Sequence, residues 1–154
     1  MTSKTLCRAA SQMVLGLIGP EWLPDIAGKA MEEGADSESL RLLAGFPKPY
    51  TDEVTLIFKK ALVEIGMSQP SRRDAVLILV SEIAQQIVAG EILPYQGAKK
   101  ISELHSLIAD DDNSIKELHP FVYAVDEWED RPDERSFFDK AIINEAKEII
   151  YRIK

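Results

Sequence analysis

Residues 70–90 read PSRRDAVLILVSEIAQQIVAG, and the class of the fold turns on them. The centre, Ala75 to Val80, is an unbroken apolar run of the kind a buried strand also shows. The residues after it decide against a strand. Ile83, Ala84, Ile87 and Val88 carry the apolar spacing onward at three and four residues, which is the repeat of a helix. Pro70 suits a helix start and Gly90 suits the position just past a helix end. The spacing predicts one long helix, apolar all round at its centre and therefore central to the domain.

The flanking segments share the helical period. In TDEVTLIFKKALVEIG, residues 51–66, the positions Val54, Ile57, Phe58, Ala61, Leu62 and Ile65 fall on one face. Thr51 is the expected N-cap, Asp52 and Glu53 suit the positive helix start, and Gly66 suits the left-handed C-terminal position. Residues 133–153 carry an equally clean stripe of Phe138, Ala141, Ile142, Ala146, Ile149, Ile150 and Ile153. Residues 20–34 place Trp22, Leu23, Ile26, Ala27, Ala30 and Met31 together, with Pro24 tolerated in the first turn. Residues 36–45 form a short helix capped by Asp36 or Ser37 and stopped by Gly45. Residues 94–110 begin with Pro94 in the first turn and present Ala98, Ile101, Leu104 and Ile108. A short helix over 114–119 ends near Pro120, and a further one carries Phe121, Val122, Ala124, Val125 and Trp128 before Arg131-Pro132-Asp133 breaks it. No segment alternates as a strand does. The prediction is an all-α, single-domain bundle of seven or eight helices spanning residues 1–154 around helix 70–90.

The N-terminal stretch is also read as an amphipathic helix. Ser11 and Gln12 interrupt its apolar run, and no small-residue cleavage site follows before Glu21, so it is not taken for a targeting segment. No apolar run approaches the roughly 20 residues that span a bilayer. Cys7 is the only cysteine, which excludes an internal disulfide and suggests a reducing, cytoplasmic setting with Cys7 as a buried structural thiol.

Charge is distributed unevenly. The net charge is −8, and residues 110–134 carry all of it: ten acids against Lys116 and Arg131. The remaining residues hold sixteen of each sign. A chain that is neutral apart from one acidic quarter lacks the basic footprint of a nucleic-acid binder and is not attracted to anionic membranes.

Catalytic patterns are absent. There is no Gly-x-Ser-x-Gly elbow and no phosphate-binding glycine loop. The carboxylates of 126–134 lie on a polar stretch with no apolar pocket to raise a pKa. Both histidines sit in a Glu-Leu-His tripeptide, 103–105 and 117–119. Glu and His two apart lie about 200° apart on a helix and cannot face one ion. Leu104 and Leu118 are expected in the core, with His105 and His119 partly exposed. The run from Asp110 fails the calcium-loop spacing, because its sixth residue is Ile115 and its twelfth is Phe121. No catalytic residue, metal or cofactor is predicted.

A binding surface is the remaining candidate. Asp110, Asp111 and Asp112 precede the 121–128 segment, and Asp126, Glu127, Glu129, Asp130, Asp133 and Glu134 follow or end it. Tyr123 shares a helical angle with Asp126 and Glu127 and is expected to be exposed. Tyr123 or Trp128 would anchor a basic partner in the acidic field.

Three stretches carry a resemblance: Glu21-Trp22-Leu23-Pro24, then Asp36-Ser37-Glu38-Ser39-Leu40-Arg41-Leu42-Leu43-Ala44-Gly45, and Gly90-Glu91-Ile92-Leu93-Pro94-Tyr95-Gln96-Gly97-Ala98. Together they resemble a family of small, all-helical, largely uncharacterised bacterial proteins, over most of residues 20–105. In size, helicity and acidity the chain is also similar to the small immunity proteins that neutralise toxins in contact-dependent growth inhibition. That resemblance implies a protein-binding role and assigns no residue. Within the quoted stretches, Leu40, Leu43 and Ala44 are expected to pack, and Asp36 to hold Arg41 by a salt bridge or cap contact. The leading expectation is a non-enzymatic bacterial immunity protein that neutralises a basic toxin nuclease. The alternatives are a helical enzyme or ligand-binding domain with an unfamiliar site, and a scaffold or regulatory subunit.

Overall fold

A computed structural model of the chain describes residues 3–48, 52–109 and 115–153. Among the described residues there are eight α-helices, three short 3-10 turns and no strand. Their internal contacts gather into two compact units, Met1–Ala75 and Val76–Lys154.

The first unit holds α1 (Lys4–Val14), α2 (Leu23–Glu32), α3 (Glu38–Ala44) and α4 (Glu53–Glu64). α2 packs on α1, α3 and α4, and α3 also packs on α4. The core is Leu6, Ala9, Leu23, Ala27, Ala30, Leu40, Leu43, Val54, Phe58, Ala61 and Leu62. Small residues face α2's neighbours, which lets short helices approach closely. Ser3 caps α1 by accepting from the Leu6 amide at 3.2 Å, and Ser37 caps α3 by accepting from Leu40 at 3.1 Å. Asp36, the other cap candidate, instead takes both oxygens to Arg41 Nη1 at 2.7 and 2.8 Å. Ser39 is buried, and its amide and hydroxyl donate to the two oxygens of Glu64 at 2.9 and 2.6 Å. These two bonds tie α3 to the end of α4 and hold the Glu64 carboxyl below its ordinary range. Past α4, Gly66 adopts φ +85, which lets Met67 N–H bond Leu62 C=O at 2.8 Å and close the helix. The proposed Thr51 cap lies outside the described residues.

The second unit takes α5 (Arg72–Ala89) from Val76 onward, then α6 (Pro94–Ser106), α7 (His119–Asp130) and α8 (Arg135–Ile153). The helix at 70–90 is thus continuous through the run that also read as a strand. Ala75, Val76, Leu79, Val80, Ala84 and Ile87 are buried, while Leu77 and Ile78 are half-buried. Gly90 at φ +76 ends it, with Glu91 N–H bonded to Gln86 C=O at 2.9 Å. α7 packs on α6 and α8, and α6 on α8. Their shared core includes Ala98, Ile101, Ile108, Ile115, Leu118, Phe121, Ile142 and Ala146.

Three expectations need correction. Trp22 does not join the apolar face of its segment and is 56% exposed. It falls in a 3-10 turn, Pro20–Trp22, before α2 begins, and the tighter winding takes it off the α-helical stripe. The short helix expected over 114–119 is a 3-10 turn, Lys116–Leu118. Pro120 does not end it but stands in the first turn of α7, where its missing N–H costs nothing. Cys7 is half-buried, not sealed in the core.

Candidate binding surface

The acidic stretch occupies the second half of α7, the turn after it, and the start of α8. On α7, Tyr123, Asp126, Glu127 and Asp130 fall at i, i+3, i+4 and i+7 and so share one face. The opposite face carries Phe121, Ala124 and Val125, all buried, which fixes the rotation of the helix and turns Tyr123 outward. Tyr123 is 62% exposed. Arg131 ends α7 with φ −126 and ψ 73, and Pro132–Glu134 forms a 3-10 turn into α8. Asp133 and Glu134 lie in that turn and are exposed.

The six acids of 126–134 separate into two sets. Glu127 meets Arg131 Nε at 2.6 Å, a contact of charges without the alignment of a hydrogen bond. Glu134 meets Arg131 Nη1 at 3.3 Å. Glu134 first, and Glu127 after it, keep the Arg131 guanidinium above its ordinary range. Glu129 accepts from the Tyr95 hydroxyl and lies 3.6 Å from Lys99 Nζ, which itself donates to Tyr95 Oη at 3.3 Å. The Tyr95 bond, then Lys99, hold the Glu129 carboxyl below its ordinary range, and the same Tyr95 oxygen raises Lys99. Asp126, Asp130 and Asp133 are exposed and have no ion pair among the described residues. The three glutamates are therefore ion-paired within the fold, two of them sharing Arg131, and the three aspartates are not.

Trp128 plays a different part from Tyr123. It is half-buried, its Nε1–H donates to Asp139 Oδ1 at 3.0 Å, and the Arg135 guanidinium lies over its ring at 3.9 Å. Arg135 Nε also donates to the Trp128 carbonyl at 3.1 Å. Tyr95 meets the ring edge-on with centroids 3.9 Å apart. Trp128 thus joins α6, α7 and α8, and it lines an open groove of about 420 Å³ with Leu93, Pro94, Tyr95, Gln96 and Asp139. Of the predicted site, Tyr123, Asp126 and Asp130 come together on one face, while Trp128 is turned from it into the helix junction. Asp110, Asp111 and Asp112 lie outside the described residues.

No family model, curated protein or solved structure matches the chain. The site must be read on its own chemistry.

Tyr95, Lys99, Arg135 and Asp139 were missed from the sequence. They arrive from α6 and α8, and only the i, i+4 spacing of Tyr95 and Lys99 hinted at a shared face. The two histidines are partly exposed as expected, and their proximity in space is a further finding. Leu104 and Leu118 are buried and His119 is exposed, as expected, but His105 and His119 meet across α6 and α7 with ring centroids 5.1 Å apart. Among the described residues no three metal-ligating side chains gather. A second cavity, of about 490 Å³ in the first unit, is bordered by Glu33, Asp36 and Glu64. Each of these carboxylates is already bound within the fold, Glu33 by the Thr5 hydroxyl, Asp36 by Arg41 and Glu64 by Ser39.

Proposed function

We propose that this chain is a non-enzymatic binding protein that receives a basic protein partner on the outer face of α7. One observation supports this above the others: an exposed tyrosine stands in line with Asp126 and Asp130, whose charges nothing in the described fold neutralises. An aromatic ring supplies contact area at small entropic cost, and flanking uncompensated carboxylates attract and orient a cationic surface. Asp133 extends the same charge beyond the end of α7.

The kind of partner that best suits such a surface is a toxin nuclease, whose basic cleft is built for phosphates. In this reading the chain is a bacterial immunity protein acting in the cytoplasm, where the carboxylates occupy the positions of substrate phosphates. No helix among the described residues is long and apolar enough to cross a membrane. Genome context is the first test, since a toxin gene immediately upstream supports this reading. The direct test is association with a basic toxin nuclease domain as salt is raised. Steered association slows steeply as salt rises, because charges more than about 8 Å apart are largely screened at 0.15 M. A rate indifferent to salt would sink the electrostatic reading.

A further inference from the structure

The two histidines belong to different elements and converge. His105 stands in the last turn of α6 and His119 opens α7. Buried Leu104 and Ile108 on one side, and Ile115 and Leu118 on the other, hold their backbones in place. The imidazoles lie at 84° to one another with centroids 5.1 Å apart. Two imidazole nitrogens bound to one tetrahedral ion, at about 2.1 Å each, bring their ring centroids to about 5 Å apart. The observed separation lies near that value and within the ordinary range of an edge-to-face ring contact.

His105 Nε2 is buried and has no hydrogen-bond partner among the described residues. Buried polar nitrogens are nearly always paired with protein or water, and no protein group among the described residues supplies the partner here. His119 is exposed, which gives an ion a way in from solvent. We propose that His105 and His119 form a two-histidine site for a first-row transition-metal ion of the zinc, nickel or copper kind. Imidazole prefers these ions to magnesium or calcium, which take oxygen ligands. Among the described residues no third ligand joins the pair, which leaves the other positions to water or to a further ligand. Coordination through His105 Nε2 places its ring proton on Nδ1. Burial first, and His119 second, hold His105 below the ordinary histidine range, so its ring is neutral and ready to ligate at neutral pH.

The chain has only two histidines, so their ring signals report the site directly. The experiment is a zinc titration of the full chain, stripped with chelator, at pH 7.5, followed by the imidazole nitrogen resonances. Both rings are expected to shift together and saturate at one ion per chain, and magnesium is expected to leave them unmoved. His105→Gln and His119→Gln should each abolish the saturable shift of the remaining ring while far-ultraviolet circular dichroism is retained. The proposal is overturned if either wild-type ring stays unmoved at saturating zinc, a result that depends on no variant. It is equally overturned if magnesium reproduces the shifts, or if each ring still responds fully when the other is replaced.

Discussion

Replacing Trp128 by alanine separates structural anchoring from surface recognition. The indole joins three helices through its ring contacts with Tyr95 and Arg135 and its bond to Asp139. Truncating a core tryptophan costs roughly 3–5 kcal/mol, and a half-buried one belongs near about 3. Trp128→Phe keeps most of the ring and loses the N–H to Asp139, for a cost near 1 kcal/mol. In a chain of this size about 1 kcal/mol moves the melting temperature by roughly 2–4 °C, so the two variants are readily ordered. Tyr123→Ala removes a side chain that is mostly in water and should stay within about 0.5 kcal/mol of the parent. Urea unfolding followed by circular dichroism measures all three. A Trp128→Ala variant as stable as Tyr123→Ala would refute the assignment of Trp128 to the helix junction. It would restore that residue as a surface anchor.

Two glycines should respond in opposite directions. A Cβ at Gly97 would land on Ile87 Cγ1 and Cδ1, so Gly97→Ala should cost about 1–3 kcal/mol by overpacking α5 against α6. Gly28 lies inside α2 with open space around it, and Gly28→Ala should stabilise by about 0.4–1 kcal/mol in the same urea unfolding. Stability should also depend on pH through His105. Its folded pKa lies below the unfolded value of about 6.5, so the unfolded chain binds the proton more tightly. The contribution is complete above that value and is lost as pH falls toward the folded pKa. His105→Gln should flatten the stability profile in that window. The loss from Glu64 and Glu129, both lowered, should remain at more acid pH, below about 4.5.

The helices were legible in the sequence because each buries one stripe at helical spacing. The stripe of Phe138, Ile142, Ala146 and Ile149 is buried as its period required. The ends of α4 and α5 were legible because Gly66 and Gly90 adopt the left-handed conformation that glycine permits. Pro120 misled because proline either ends a helix or opens one, and sequence spacing does not say which. The acidic quarter was visible as charge, but its division was not. Glu129 is compensated by Lys99 and Tyr95, thirty and more residues away, and only packing of α6 on α7 brings them together. The histidine pair escaped for the same reason. Angles within one helix exclude Glu103 with His105, but they carry no information about a residue delivered by the next helix.

The division of the acids gives the most direct test of the binding surface. Asp126→Asn, Asp130→Asn and Asp133→Asn together remove three negative charges, and so do Glu127→Gln, Glu129→Gln and Glu134→Gln. Net charge changes equally in the two triple variants, so only position distinguishes them. The measurement is the association rate constant of each, at low salt, with a basic toxin nuclease domain as the proposed partner. The aspartate variant is predicted to associate at least about tenfold more slowly than the parent, within the one to three decades that interface charges usually move this rate. The glutamate variant reduces the net negative charge as much and leaves Arg131 and Lys99 without their partners. It should therefore slow association too, but by less than the aspartate variant, which loses the charges at the contact face. Equal slowing in both, or an aspartate variant that associates at the parent's rate, would contradict the account.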